Sequence, residues 1–153
     1  MKLLNECFQT EKGNRIFREE EGKQINFVND MYELVCDVVP IDSCVLTGAT
    51  DGRRCDFLFL FNKSKQEYSV LNNKKSLAYY VELKGVDLEG ACEQLHNSIE
   101  KTRDQLEDFE LNAMVVSSRE YVPKYDNNDW NRNLIRIIKK PIQFEVSPYT
   151  VII

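Results

Sequence analysis

Residues 77–95, LAYYVELKGVDLEGACEQL, decide how the rest of the chain is read. The opening run, Leu77-Ala78-Tyr79-Tyr80-Val81-Glu82-Leu83-Lys84, is apolar until two charges close it. Aromatic and β-branched residues in so short a run predict a strand over residues 77–84. Strand side chains alternate, so Glu82 and Lys84 share one face while Val81 and Leu83 share the other. Charges at the end of a buried strand cost free energy unless they are paired or hold a metal. Past the turn Gly85-Val86 the period changes. Leu88, Ala91, Leu95, Ile99, Thr102, Leu106 and Phe109 fall at steps of three and four, which predicts a helix over residues 88–109 with Asp87 as its N-cap.

Upstream, residues 53–61, RRCDFLFLF, predict a second strand with one carboxylate, Asp56, set into an apolar run. Residues 41–50 read as a further strand closing on Ala49-Thr50-Asp51-Gly52, where Asp-Gly is a hairpin signal. Before it, Ile16, Phe17, Phe27, Val28, Met31, Leu34, Val35 and Val38 predict a helix over residues 14–38, with Gly22 as a dividing point and Pro40 as the stop. Downstream, residues 112–118 read as a strand. Residues 130–140 read as a helix capped by Asp129 and stopped by Pro141, with Trp130, Leu134, Ile137 and Ile138 inward. Residues 144–153 read as a final strand or extended tail. The expected fold is therefore α/β or α+β, a central mixed four-stranded sheet flanked by helices. It forms one domain over residues 1–153, with a core at about 14–119 and a C-terminal addition at 120–153.

This order brings particular charges to one edge. If the strands at 53–61 and 77–84 are antiparallel neighbours, Asp56, Glu82 and Lys84 meet there. The helix leaving that edge keeps Gln94 close, and a parallel fourth strand delivers Ser117, Ser118 and Arg119. A strand over residues 41–50 spans about 27 Å at roughly 3.3 Å per residue. A helix running back from Val38 covers that distance in about 18 residues at 1.5 Å each, which lands on Glu20 and leaves Glu33 at the wrong end. Glu20 also falls on the apolar stripe of that helix, although Glu19 and Glu21 beside it leave a solvated acidic turn open.

Asp in one apolar strand, Glu-x-Lys closing the next, and Gln94 within Ala91-Cys92-Glu93-Gln94-Leu95 on the following helix resemble the PD-(D/E)xK nuclease superfamily. The resemblance implies a restriction-endonuclease-like α-β-β-β-α-β core. By the same resemblance Asp56, Glu82 and the Leu83 carbonyl would coordinate Mg²⁺ or Mn²⁺, and Lys84 would orient water or stabilise developing charge. Gln94 would support the site and Glu20 would complete it. The sequence departs from the pattern in having Cys55, not Pro, before Asp56. The expected activity is metal-dependent phosphodiester hydrolysis, on DNA rather than RNA, in a restriction, repair, mobile-element or phage-defence setting. Two alternatives stay open. One is a catalytically silent nuclease-like module that works through a protein partner. The other is a plain α+β domain in which Glu82 and Lys84 form a surface pair.

The charge balance bears on partners. With 25 acidic against 20 basic residues the net charge is −5, which disfavours avid non-specific binding of nucleic acid. Arg53, Arg54, Arg119, Arg132 and Arg136, with Lys139 and Lys140, are the candidates for phosphate contact. A homodimer or a protein partner could supply more basic surface. Tyr79, Tyr80 and Trp130 read as core, and His96 as an ordinary helical residue. Cys7, Cys36, Cys44, Cys55 and Cys92 are scattered without a C-x-x-C pair, which predicts reduced, small hydrophobes. No apolar stretch approaches the roughly 18 residues of a membrane span, so the expectation is a cytoplasmic protein with no membrane partner.

Overall fold

The computed structural model describes residues 1–72, 74–84, 88–118 and 129–153. A mixed six-stranded sheet forms the middle layer. Its strands are β1 (Gln9–Gly13), β4 (Leu34–Pro40), β5 (Phe57–Phe61), β6 (Ser76–Lys84), β7 (Phe109–Ser117) and β8 (Gln143–Val146), hydrogen-bonded in that order. The β1–β4, β4–β5 and β5–β6 pairs are antiparallel, and the β6–β7 and β7–β8 pairs are parallel. A three-stranded sheet is built from β2 (Arg15–Glu20), β3 (Lys23–Val28) and β9 (Tyr149–Ile152). Among the described residues two α-helices, α1 (Leu88–Thr102) and α2 (Asp129–Ile138), stand beside short helical turns. The class is mixed α+β, with two more strands in the main sheet than the four expected.

The strand β6 explains the layering. It lies inside the sheet, so both of its faces are covered and its sequence runs apolar without alternation. On one face Ala78 and Tyr80 join Leu58, Leu60 and Val115 against Leu88, Ala91, Leu95 and Ile99 of α1 and Leu134 and Ile138 of α2. Tyr80 is fully buried, and its hydroxyl lies 2.6 Å from Thr102 Oγ1. On the other face Val81 and Leu83 join Phe59, Phe61, Met114 and Val116 against Ile16, Ile25 and Phe27 of the small sheet. The Tyr79 ring packs 5.0 Å from Phe27. Tyr80 is core, as the sequence suggested, and Tyr79 is half-buried against the second cluster.

The helix expected over residues 14–38 is instead the β2–β3 hairpin followed by β4. Ile25 and Phe27 face inward two residues apart, which is strand periodicity, and the register pairs Glu20 with Lys23 across Glu21-Gly22. Both turn residues have positive φ, 49° and 79°, as a type I′ hairpin turn requires. Where a strand was expected at residues 41–50, a π-helical turn forms over Ile41–Val45, closed by Leu46 N–H on the Ile41 carbonyl at 2.8 Å. The Asp51-Gly52 pair closes no hairpin, because β4 and β5 pair from Pro40 and Phe57 outward. Gly52 instead has φ 76°, and a Cβ there would stand 3.0 Å from Asn97 Nδ2.

The strand expected over residues 53–61 begins only at Phe57, so Asp56 sits just before β5. α1 ends at Thr102 rather than at residue 109, although Leu106 stays buried beyond a 3-10 turn over Arg103–Gln105. The C-terminal stretch makes two strands, β8 in the large sheet and β9 beside β3. Cys7 and Cys44 form a disulfide, which corrects the expectation of five reduced cysteines, while Cys36, Cys55 and Cys92 are buried thiols. Among the described residues no helix is long and apolar enough to cross a membrane. The expected N-cap Asp87, Arg119 and the Trp130 side chain lie outside the described residues.

Candidate metal centre

The antiparallel register of β5 and β6 pairs Phe57 with Val81, which sets Asp56 beside Glu82 at one edge of the sheet. Asp56 is buried, and its Oδ2 accepts the Leu83 backbone N–H at 2.8 Å. That bond fixes the carboxylate without neutralising it. Glu82 is only 2% exposed, and its Oε2 has no hydrogen-bond donor among the described residues. Burial, then a shared hydrogen bond with Asp56 and the charge of Asp56, push the Glu82 pKa up to about 10. Lys84, two residues on, opposes this rise through its charge. That value keeps the Glu82 carboxyl protonated at neutral pH, with Asp56 as its hydrogen-bond neighbour.

Two more carboxylates converge on Asp56. One oxygen each from Glu20, Asp42 and Asp56 all lie within 4.8 Å of one another. Glu20 arrives at the last residue of β2, carried by the hairpin turn rather than by a helix. The residue expected from a helix stripe is thus at the site on a different element. Burial, and then Asp56, raise the Glu20 pKa to about 7. Asp42, on the π turn, is raised for the same two causes, with Arg54 partly offsetting them. Ile41 N–H donates to the Asp56 carbonyl at 3.0 Å, so the turn carrying Asp42 is tied to Asp56 through the backbone. Asp42 was missed in the sequence. Its signal was a lone carboxylate in the apolar stretch Val38-Val39-Pro40-Ile41-Asp42, the same anomaly that marks Asp56 and Glu82.

Gln94 sits one step back. Its Nε2 donates to the Arg54 carbonyl at 3.1 Å, while its buried Oε1 has no donor among the described residues. Ser98 Oγ accepts the Cys55 N–H at 2.8 Å, and Lys101 Nζ donates to the Asp51 carbonyl at 2.6 Å. Asn97 donates to the carbonyls of Asp51 and Arg53. One face of α1 therefore grips the segment leading into Asp56, and Gln94 belongs to that grip.

The expected phosphate-contact residues divide. Arg53 pairs with Glu93 at 3.1 Å. Arg54 donates to the carbonyls of Gly48 and Gly52, and its charge reaches Asp42. Lys84 is in register with Ser117 at the end of β7. Arg132 and Arg136 are exposed on α2. Just beyond that helix, Lys140 contacts Glu110 at 3.3 Å and Asn112 at 3.0 Å, near the start of β7 and away from Ser117. Arg136 Nη1 lies 3.5 Å from Asn133 Oδ1 on its own helix. His96 lies 3.9 Å from Glu100 on α1.

Four acids brought together, of which Glu20, Asp42 and Glu82 have raised proton affinities and Glu82 keeps one oxygen without a donor among the described residues, form a set that suits a hard cation with oxygen ligands, Mg²⁺ or Mn²⁺. A soft-metal site would use thiolate or imidazole, and neither is in the cluster. No protein-family model, curated protein or solved structure matches this chain.

Proposed function

We propose that the chain is a Mg²⁺- or Mn²⁺-dependent phosphodiesterase of the PD-(D/E)xK kind, acting on DNA. The observation that carries this reading is the buried Glu82 carboxyl, without a donor for Oε2, beside Asp56 and within reach of Lys84. The order β4–β5–β6–α1–β7, with its antiparallel pairs and one parallel crossover, supports a restriction-endonuclease-like core. In it the β2–β3 hairpin takes the place of the first helix. Asp56, Glu82, Glu20 and Asp42 would hold the ion, with the Leu83 carbonyl as a further ligand. The ion supplies positive charge to a phosphoryl oxygen and makes a water more acidic.

The chain's own residues do the rest. Asp56 and Glu82 would supply the ion's carboxylate oxygens, with Glu82 releasing its proton on binding. Lys84 supplies fixed positive charge where negative charge develops on the phosphate. Arg54, whose charge reaches Asp42, would contact phosphate once it leaves the Gly48 and Gly52 carbonyls. The net charge of −5 favours a homodimer or a protein partner that adds basic surface for DNA. A cytoplasmic restriction, repair, mobile-element or phage-defence setting suits such an enzyme.

A second reading, a silent module that acts through a partner, is favoured by Arg53 being held by Glu93 and Arg54 by backbone carbonyls. Supercoiled plasmid, single-stranded DNA and RNA incubated with Mn²⁺ separate the two. Cleavage by the wild-type protein that disappears in Asp56→Asn and Lys84→Ala supports the enzyme. Mn²⁺ binding by calorimetry without cleavage of any substrate supports the module. Absence of both ends the metal reading.

A further inference from the structure

We propose that the Cys7–Cys44 disulfide is a redox control on this acidic site, acting through the π turn that carries Asp42. The inference rests on the metal reading above and adds a regulator to it.

Asp42 and Cys44 lie two residues apart on the same five-residue turn, Ile41–Val45. π-helical turns are rare and depend on their surroundings, since their hydrogen bonds are less favourable than those of an α-helix. The ends of this one are packed, with Ile41 and Val45 fully buried, and further ties hold it. Ile41 N–H reaches the Asp56 carbonyl, Lys2 N–H reaches the Val45 carbonyl at 3.2 Å, and Cys44 is bonded to Cys7. Cys7 ends a 3-10 helix over Leu4–Cys7 that is itself anchored, with Leu4 N–H on Gln105 Oε1 at 2.9 Å. The disulfide thus braces the Asp42 turn against the N-terminal segment across 37 residues of chain.

The chemistry is selective. Cys7 is buried, whereas Cys44 is partly exposed, so a reductant meets the Cys44 sulfur first. The reductant is a dithiol. Its thiolate attacks Cys44 Sγ, the S–S bond breaks, and Cys7 leaves as a thiolate that takes a proton. The second thiol of the reductant then resolves the mixed disulfide, releasing Cys44 as a thiol and leaving the reductant oxidised. The chain gains two electrons and two protons. Cys36, Cys55 and Cys92 do not compete, because all three are buried thiols, and burial also holds the Cys36 and Cys55 thiols far from ionisation.

Reduction leaves the Asp42 turn with its backbone hydrogen bonds and the core packing of Ile41 and Val45 at its two ends, while the partly exposed middle, Asp42 to Cys44, loses its covalent tie. Asp42 then samples positions outside the acidic cluster and the cation loses a ligand held in place. Loss of a supporting interaction of this kind weakens metal binding by about 10–100-fold.

The test uses the full chain and reads Mn²⁺ affinity by calorimetry in three proteins: wild type, Cys7→Ser and Asp42→Asn. Each is measured oxidised and after reduction by a small dithiol, desalted without air, with circular dichroism confirming that the fold persists. The expected result is wild-type affinity that falls about 10–100-fold on reduction and returns on reoxidation. Cys7→Ser binds like the reduced wild type and ignores the reductant. Asp42→Asn binds weakly in both states. Equal wild-type affinity in both states overturns the control and leaves the metal site standing. A full redox effect in Asp42→Asn also overturns it, because the effect then runs through another residue. No Mn²⁺ binding by the oxidised wild type removes the metal reading and the control together.

Discussion

Two acids in the large sheet are buried to the same degree and live in opposite circumstances. Asp37, in β4, and Glu82, in β6, are each 2% exposed. Asp37 accepts the Thr10 hydroxyl at 2.6 Å and the Lys65 ammonium at 2.5 Å. Glu82 has a second carboxyl for a neighbour and an oxygen with no donor. A buried carboxylate with its own cation and hydroxyl is a finished structural element. Glu82 feels the charge of Lys84 but forms no ion pair among the described residues, and folding alone gives no reason to collect four acids at one edge. The contrast separates an acid that serves the fold from one that serves a ligand.

The largest effect that tests this contrast is on cleavage. Asp56→Asn keeps an oxygen for the Leu83 N–H but removes the charge, and we expect metal-dependent DNA cleavage to fall by about 10³-fold in a single-turnover assay. The same measurement on Asp37→Ala should match wild type at a temperature where both are folded. The stabilities should run the other way. Asp37→Ala strands the Thr10 hydroxyl and Lys65, at a cost of about 1–3 kcal/mol in urea unfolding. Glu82→Gln replaces a group that is already protonated and, without metal, should stay within about 1 kcal/mol of wild type. Equal losses in the two variants would erase the distinction.

The proton supplies a gentler test. Glu82 is pushed up to about 10 and Glu20 to about 7, so the metal-free folded state binds more protons than the unfolded chain above the ordinary carboxylate range. Stability in chelator should therefore fall as pH rises from 5 toward 9, the reverse of the usual effect of a salt-bridged acid. Mn²⁺ affinity should climb over the same window, because binding releases those protons. Urea midpoints at several pH values check the first trend and calorimetry the second, and Glu82→Gln should flatten both. The smallest change is expected from Gln94→Ala, which loosens the segment ahead of Asp56. About tenfold weaker Mn²⁺ binding with an unchanged urea midpoint would place Gln94 in a positioning role.

The sequence was most legible where one physical demand ruled. β6 had to be apolar on both faces, so its two terminal charges stood out, and α1 carried a regular stripe from Leu88 to Thr102. Asp56, Glu82 and Lys84 could be paired because antiparallel strands and a parallel crossover leave little freedom. The β2–β3 hairpin was hidden because Ile16, Phe17, Phe27 and Val28 also satisfy helical spacing. The alternation of Gln24, Ile25, Asn26 and Phe27 after Gly22 was the competing signal, and tertiary burial of Ile25 and Phe27 decided it. Glu20 reached the site although the element was wrong: the count back from Val38 assumed a helical rise that β2 and β3 do not have, and the hairpin turn at Glu21-Gly22 is what brings it there. Asp42 was illegible for a different reason: a five-residue π turn has no repeat to detect. The Cys7–Cys44 bond could not be read from spacing, because five scattered cysteines allow many pairings.

The parallel pairing of β3 with β9 has a consequence for the timing of synthesis. The Asn26 amide reaches the Tyr149 carbonyl across 123 residues, so the hairpin bearing Glu20 leaves the ribosome long before its third strand exists. At about 5–20 residues per second that delay is on the order of ten seconds. During it, β5, β6 and α1 emerge and can assemble, while Glu20 stays on an unsupported two-stranded ribbon of marginal stability. A nascent chain would thus hold an incomplete acid cluster until β9 docks. Acquisition of metal affinity is therefore expected late, as one of the last events in the birth of the molecule.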